Sequence, residues 1–184
     1  MLVRDQALLL IGPRASGKST LARLIASRLG WPYLSFGGHV RDHATARSLP
    51  FEPAVLEELG GRLILERGYA GLLDDVLKAL PPESTSIVLD GVRHPQMLDA
   101  VAARFAYVLS CYIDAADDLR YERWLKREGM SISAESLRRF QQLAAGPVER
   151  HAPELRQLAD HVLDGSQPAK TLAAIVECLI VQHG

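Results

Sequence analysis

Gly12-Pro13-Arg14-Ala15-Ser16-Gly17-Lys18-Ser19 is the stretch on which the reading of this chain turns. It places a glycine, four residues, then glycine, lysine and a hydroxyl between an apolar run, Ala7 to Ile11, and a helical pattern of Leu21, Leu24, Ile25 and Leu29. A strand that leaves through a glycine-rich turn into a helix can curl its backbone amides around phosphate oxygens, and the helix adds the positive end of its dipole. Lys18 is expected to reach the outer phosphates and Ser19 to set its hydroxyl on a magnesium ion bridging them. Gly12, Arg14, Ala15, Ser16, Gly17 and Thr20 complete the expected nucleotide cradle.

Outward from the loop, helix and strand alternate. Trp31 to Phe36 reads as a second short strand closed by Gly37-Gly38, followed by a helix from about His39 to Arg47. Leu56, Leu59, Leu63 and Ile64 mark a helix beginning near Pro53, Gly68 and Gly71 punctuate, and Leu72 to Leu80 is helical. Ile87 to Asp90 is a buried strand, Pro95 to Ala103 a helix, about Ala106 to Asp114 a strand, and Leu119, Trp124 and Leu125 form the face of the next helix. Helices over Ala134 to Ala145 and Val148 to Ala159, a last strand His161 to Asp164 and a closing helix from Ala169 finish the chain. Parallel strands need crossovers, and crossovers cover the sheet, so the expected fold is α/β. It is a three-layer P-loop NTPase fold: a five-stranded parallel sheet, helices on both faces and a small helical lid.

With 184 residues, 48% of them hydrophobic, the chain can bury one sizeable core, and a single domain over residues 1–184 is expected. Its 21 basic and 22 acidic side chains nearly cancel, so no global field favours nucleic acid or an anionic membrane as partner. Anion binding has to be local. Cys111 and Cys178 are far apart in apolar runs, read as buried thiols rather than a metal knuckle or a disulfide. No apolar stretch reaches membrane-spanning length and Met1 to Ile11 lack a signal-peptide pattern, which leads to the expectation of a soluble cytoplasmic protein.

In a parallel sheet of this kind ligands bind beyond the carboxyl ends of the strands, and the notable polar residues fall there. Asp90 closes an apolar strand and is the candidate second metal-organising carboxylate, with a turn cap as the alternative. Asp74 and Asp75 are adjacent in a helical pattern and read as solvated. Arg41 follows the second strand, Arg93 the third, and Arg123 and Arg127 share a helix face after the fourth. Arginine forks are suited to phosphate oxygens. His39 and His94 neighbour two of these arginines, as substrate contacts or as ordinary cap and surface histidines.

These residues resemble the nucleoside monophosphate kinase group of P-loop kinases, which includes adenylate kinase, and also dephospho-coenzyme A kinase. Ser35-Phe36-Gly37-Gly38-His39-Val40-Arg41 is similar to the acceptor segment of adenylate kinases, which implies that Gly37 and Arg41 bind the acceptor. Asp90-Gly91-Val92-Arg93 resembles that group's aspartate-to-arginine signature, shortened by one residue, and implies that Arg93 also holds the acceptor phosphate. The stretch Ile113 to Arg127 resembles the strand and helix entering the kinase lid, implying that Arg123 lies near adenine and Arg127 contacts phosphates. From there the chain is more similar to dephospho-coenzyme A kinase, whose likeness implies that the Gly165 to Pro168 loop, with Gly165 and Gln167, lines the adenine pocket. The resemblance implies an acceptor-binding segment at about residues 39–70 and a lid at about 123–150.

The implied activity is an ATP- and magnesium-dependent phosphotransferase. It acts through Lys18, Arg93, Arg123 and Arg127 on a nucleoside monophosphate or similar phosphorylated small molecule, with Asp90 beside that acceptor and, with Ser19, on the metal. A hydroxyl acceptor such as dephospho-coenzyme A, or a nucleotide-dependent switch with a protein partner, are the alternatives.

Overall fold

The computed structural model describes residues 4–183; Met1 to Val3, part of the expected leading stretch, lie outside the described residues. The strands are β1 (Arg4–Ile11), β2 (Tyr33–Ser35), β3 (Ser86–Asp90), β4 (Phe105–Asp114) and β5 (His161–Asp164). They form one parallel sheet in the order β2-β3-β1-β4-β5. The helices are α1 (Lys18–Leu29), α2 (Phe36–Ala46), α3 (Pro53–Leu77), α4 (Gln96–Ala102), α5 (Asp117–Glu128), α6 (Ala134–Ala144), α7 (Ala152–Leu158) and α8 (Ala169–His183). The order of strands reverses about β1, because the chain steps from β3 across β1 to β4. A crevice therefore opens beyond the carboxyl end of β1.

The unbroken apolar run of β1 is explained by its two covered faces. Ala7, Leu9 and Ile11 join Ile87 and Leu89 beneath α3 and α4, packing against Leu63, Leu73, Val76 and Val101. Leu8 and Leu10 join Val88, Cys111 and Ile113 on the other face, against Leu21 and Ile25 of α1 and Leu172, Ala173 and Val176 of α8. Each fully buried leucine or isoleucine contributes about 1.5–3 kcal/mol. The strand that carries the phosphate loop is thus held from both sides. A third, small cluster of Trp124, Leu125 and Phe140 joins α5 to α6, with Ala15 of the loop and Met130 packed against it.

Several elements depart from the sequence expectation. The second strand stops at Ser35, and Gly37-Gly38 belong to the first turn of α2 because the Ser35 hydroxyl caps the helix by accepting from the Gly38 amide at 3.2 Å. The helix from Pro53 runs to Leu77; Gly68, at φ 65°, breaks it into two arms, whereas Gly71 does not interrupt it. Pro147–Glu149 forms a separate 3-10 turn, so helix α7 starts only at Ala152. Asp74 is held by Arg104 at 2.9 and 3.1 Å, and Asp75 by Arg67 and Lys78 at 2.8 and 2.7 Å, so both are ion-paired rather than merely solvated. Cys111 is buried, but Cys178 is exposed because the buried face of α8 runs through Leu172, Ala173 and Val176.

Candidate active site at the carboxyl edge of the sheet

The loop leaves β1 in a conformation that only its glycines permit at two points. Gly12 has φ 147°, and a Cβ there would stand 2.8 Å from the Ile113 carbonyl oxygen. Gly17, at φ 99°, is the residue from which α1 starts. Ala15 between them is also left-handed at φ 63°, so the backbone alternates in the manner of an anion-binding nest. Lys18 is buried, and its ammonium donates to the Pro13 carbonyl at 3.2 Å. Burial pushes it down to about 7, Arg93 adds to the drop, and Asp90 and Glu149 oppose it. An arriving phosphate would supply the negative charge this ammonium lacks.

Asp90, at the end of β3, is 2% exposed. Its Oδ2 accepts from the Tyr33 hydroxyl at 3.0 Å, while its Oδ1 is buried without a hydrogen-bond partner. A half-satisfied buried carboxylate on the same cavity as Ser19 fits a hydrated magnesium ion, and a turn cap would have used the second oxygen. Among the described residues no cluster of three or more His, Cys, Asp or Glu assembles to hold a metal. The remaining ligands of such an ion would be phosphate and water oxygens, the usual arrangement for magnesium.

The structure brings Arg14, Ala15, Ser16, Gly17, Lys18, Ser19 and Thr20 together with Gly37, Arg41, Asp90, Arg93, Arg123, Arg127, Gly165 and Gln167 around one cavity of about 1450 Å³. Gly12 lies behind this wall, its carbonyl accepting from Arg93 at 3.3 Å. Arg123 ties the phosphate loop to the loop after β5, donating to the Ser16 carbonyl at 2.7 Å and the Gly165 carbonyl at 2.8 Å. A Cβ at Gly165 would meet the Asp114 carbonyl oxygen at 2.7 Å, so the close approach of these two strand ends requires glycine. Arg127 projects from the next turn of α5 and pairs with Glu128 at 2.8 Å. Arg41 is exposed on α2 and lines the same cavity, its guanidinium 3.8 Å from where a Cβ at Gly37 would stand.

Three residues that hold the phosphate loop through Arg14 went unread in the sequence. Glu149, 6% exposed, places both carboxylate oxygens 3.1 Å from the Arg14 amide, and its Oε1 accepts from Arg93 at 2.8 Å. Arg120, also buried, donates to the Arg14 carbonyl at 2.9 Å, bonds Asp117 at 2.6 Å and lies over the Phe140 ring. Glu57 accepts from the Arg14 guanidinium at 3.2 Å. Arg14 is thereby gripped at its amide, its carbonyl and its side chain. Arg120 had a detectable signal, since it falls on the apolar face that contains Trp124. Glu149 had none, being a single carboxylate far along the chain from its partners.

The two histidines part company. His94 lines the cavity with its ring 5.6 Å from Tyr69 and 5.2 Å from His151; burial lowers its pKa first, then His151 and Arg93. His39 is not on the cavity. Since α2 begins at Phe36, Gly37, Val40 and Arg41 take the inward face, and His39 packs instead on His43 at 4.6 Å.

No family profile matches the chain. It is 29% identical over 153 residues to a UPF0200 protein of Aeropyrum pernix, covering 83% of this chain and 80% of that one. Over 92 residues it is 33% identical to an adenylate kinase of Anaeromyxobacter sp. strain K; the match takes in 46% of this chain and 39% of that enzyme. Among solved structures, shikimate kinase from Acinetobacter baumannii superposes with TM-score 0.64 at 16% identity, covering 98% of this chain and 94% of that one. That last likeness is one of fold.

Proposed function

We propose that this chain, a P-loop kinase by sheet order, phosphate loop and kinship, transfers the terminal phosphate of ATP to a nucleoside monophosphate or a similar phosphorylated metabolite in the cytoplasm. The observation that carries the reading is the convergence of Lys18, Arg93 and Arg41, from three different strand ends, on one cavity of about 1450 Å³. That volume exceeds the roughly 300–1,000 Å³ usual for a single small ligand, and suits a donor and an acceptor side by side.

Magnesium, when bound, neutralises charge on the phosphates, and Ser19 with the free oxygen of Asp90 are the residues that would hold it. The work left to the chain is alignment and charge stabilisation. Lys18 and the loop amides would hold the outer phosphates at the start of α1. Arg93, beside the loop at the Gly12 carbonyl, would bring positive charge to a moving phosphoryl group. Arg41, exposed on α2 and lining the same cavity, would grip the acceptor's own phosphate. Arg123, bound to both Ser16 and Gly165, fixes the loop relative to the segment suited to the nucleotide base. Arg127, one turn on, can swing its exposed guanidinium to the phosphates when α5 and α6 close and exclude water.

A hydroxyl acceptor is favoured by one observation, the carboxylates of Glu57 and Glu58 on the cavity wall, which become general-base candidates once released from Arg14 and Arg62. A coupled ADP-release assay with magnesium and ATP separates the readings. It is run against nucleoside monophosphates, deoxynucleotides and hydroxyl acceptors including dephospho-coenzyme A, with a control lacking acceptor. Strong stimulation by a monophosphate supports the proposal; stimulation only by a hydroxyl compound replaces it with the second reading. A slow rate indifferent to every acceptor refutes both.

A further inference from the structure

One amide of the phosphate loop already holds an anion. Glu149, on the 3-10 turn Pro147–Glu149 at the base of the lid, has its side chain 3% exposed and both oxygens on the single hydrogen of the Arg14 amide, at 3.1 Å each. One of those oxygens is 2.8 Å from Arg93 and 4.0 Å from the Arg14 guanidinium, and the same carboxylate is among the charges felt by Lys18. A loop amide, two guanidiniums and the nearby ammonium are the partners a phosphoryl oxygen would seek.

We propose that Glu149 is an internal stand-in for phosphate, a latch that closes the lid base onto the empty loop and that a bound polyphosphate must displace. The inference rests on the phosphate-loop reading above. Its physical basis is competition: the single hydrogen of the Arg14 amide is committed to the carboxylate, and a phosphate brought to the same point would stand in direct repulsion with it. Desolvated charge cannot remain without partners either. Glu149 therefore leaves when phosphate enters, and the turn that carries it moves as well. That turn adjoins Gly146, where a Cβ would stand 3.4 Å from both Glu57 oxygens, so its release loosens the contact between lid base and acceptor helix α3. Arrival of the donor is in this way linked to opening of the acceptor wall, and the empty protein keeps its guanidiniums neutralised.

The test uses inorganic tripolyphosphate and the whole chain, by isothermal titration on the natural protein and on Glu149→Gln, whose amide keeps the shape and loses the charge. The latch predicts binding about tenfold tighter in the variant, the equivalent of one charge-assisted hydrogen bond no longer opposed. Equal or weaker binding by a folded variant overturns the latch and leaves the phosphate loop standing. Binding by neither protein overturns the loop reading and the latch with it. Should the variant not fold, hydrogen exchange on the natural protein decides. Tripolyphosphate should speed exchange at residues 147–151 while it slows exchange at residues 12–19, and unchanged or slower exchange at 147–151 refutes the displacement.

Discussion

Single side chains at this site act through what they leave unsatisfied. Asp90 has a free buried oxygen, Lys18 an ammonium weakened by burial, and Arg41 an exposed fork on the cavity. If Arg41 holds the acceptor phosphate, Arg41→Ala should raise the acceptor KM by about 10- to 100-fold, the value of losing a charged hydrogen bond, while ATP affinity stays nearly constant. Steady-state kinetics in both substrates, with nucleotide binding measured separately, checks this. Loss of ATP binding would show Arg41 to serve the donor. At this scale the sequence was readable where spacing is local: Gly12 to Ser19 is a contiguous pattern, and Arg123 and Arg127 are four apart. Glu149 lies 135 residues from the Arg14 amide and 56 from Arg93, so only the folded chain joins them.

Elements were legible where periodicity is long and ambiguous where one cap outweighs propensity. The strands of the sheet follow from apolar runs, and the candidate residues that follow their carboxyl ends line one cavity. Gly37-Gly38 misled because glycine disfavours helix interiors by about 1 kcal/mol, yet a serine cap at Ser35 recovers about that amount. Helix α8 illustrates the same limit: its apolar content suggested a buried Cys178, but only the stripe through Leu172, Ala173 and Val176 meets the sheet. The two thiols should therefore differ in kind. Burial, then Asp160, pushes the Cys111 thiol up to about 12, and Cys178 faces solvent. Titration of the native protein with a thiol-specific disulfide reagent should label one cysteine promptly and the other only after unfolding. Prompt labelling of both would contradict the packing of β4 against α1 and α8.

Across the whole molecule, two cores on opposite faces of one sheet support a cavity edged by charge. No helix among the described residues is long and apolar enough to cross a membrane. His39 and His94 both have pKa values lowered chiefly by burial, with His43 adding to the first, and His151 and Arg93 to the second. A lowered histidine pKa means that the unfolded chain binds protons first. Stability from these groups is then present above the ordinary value near 6.5 and is lost as pH falls through it. The melting temperature should decline from pH 7 to pH 5, and the paired change His39→Gln with His94→Gln should flatten that decline. An unchanged slope in the pair would assign the acid sensitivity to other groups.

The small core between α5 and α6 also encloses a fluorophore. Of the two tryptophans, Trp31 is half-buried in the segment leading into β2, whereas Trp124 is 3% exposed on α5, its ring stacked on Tyr121 with Ala15 of the phosphate loop in the same cluster. Any rearrangement that separates α5 from that loop changes the polarity around the Trp124 indole. The closure proposed for α5 and α6 is thereby readable from Trp124 emission, without a label.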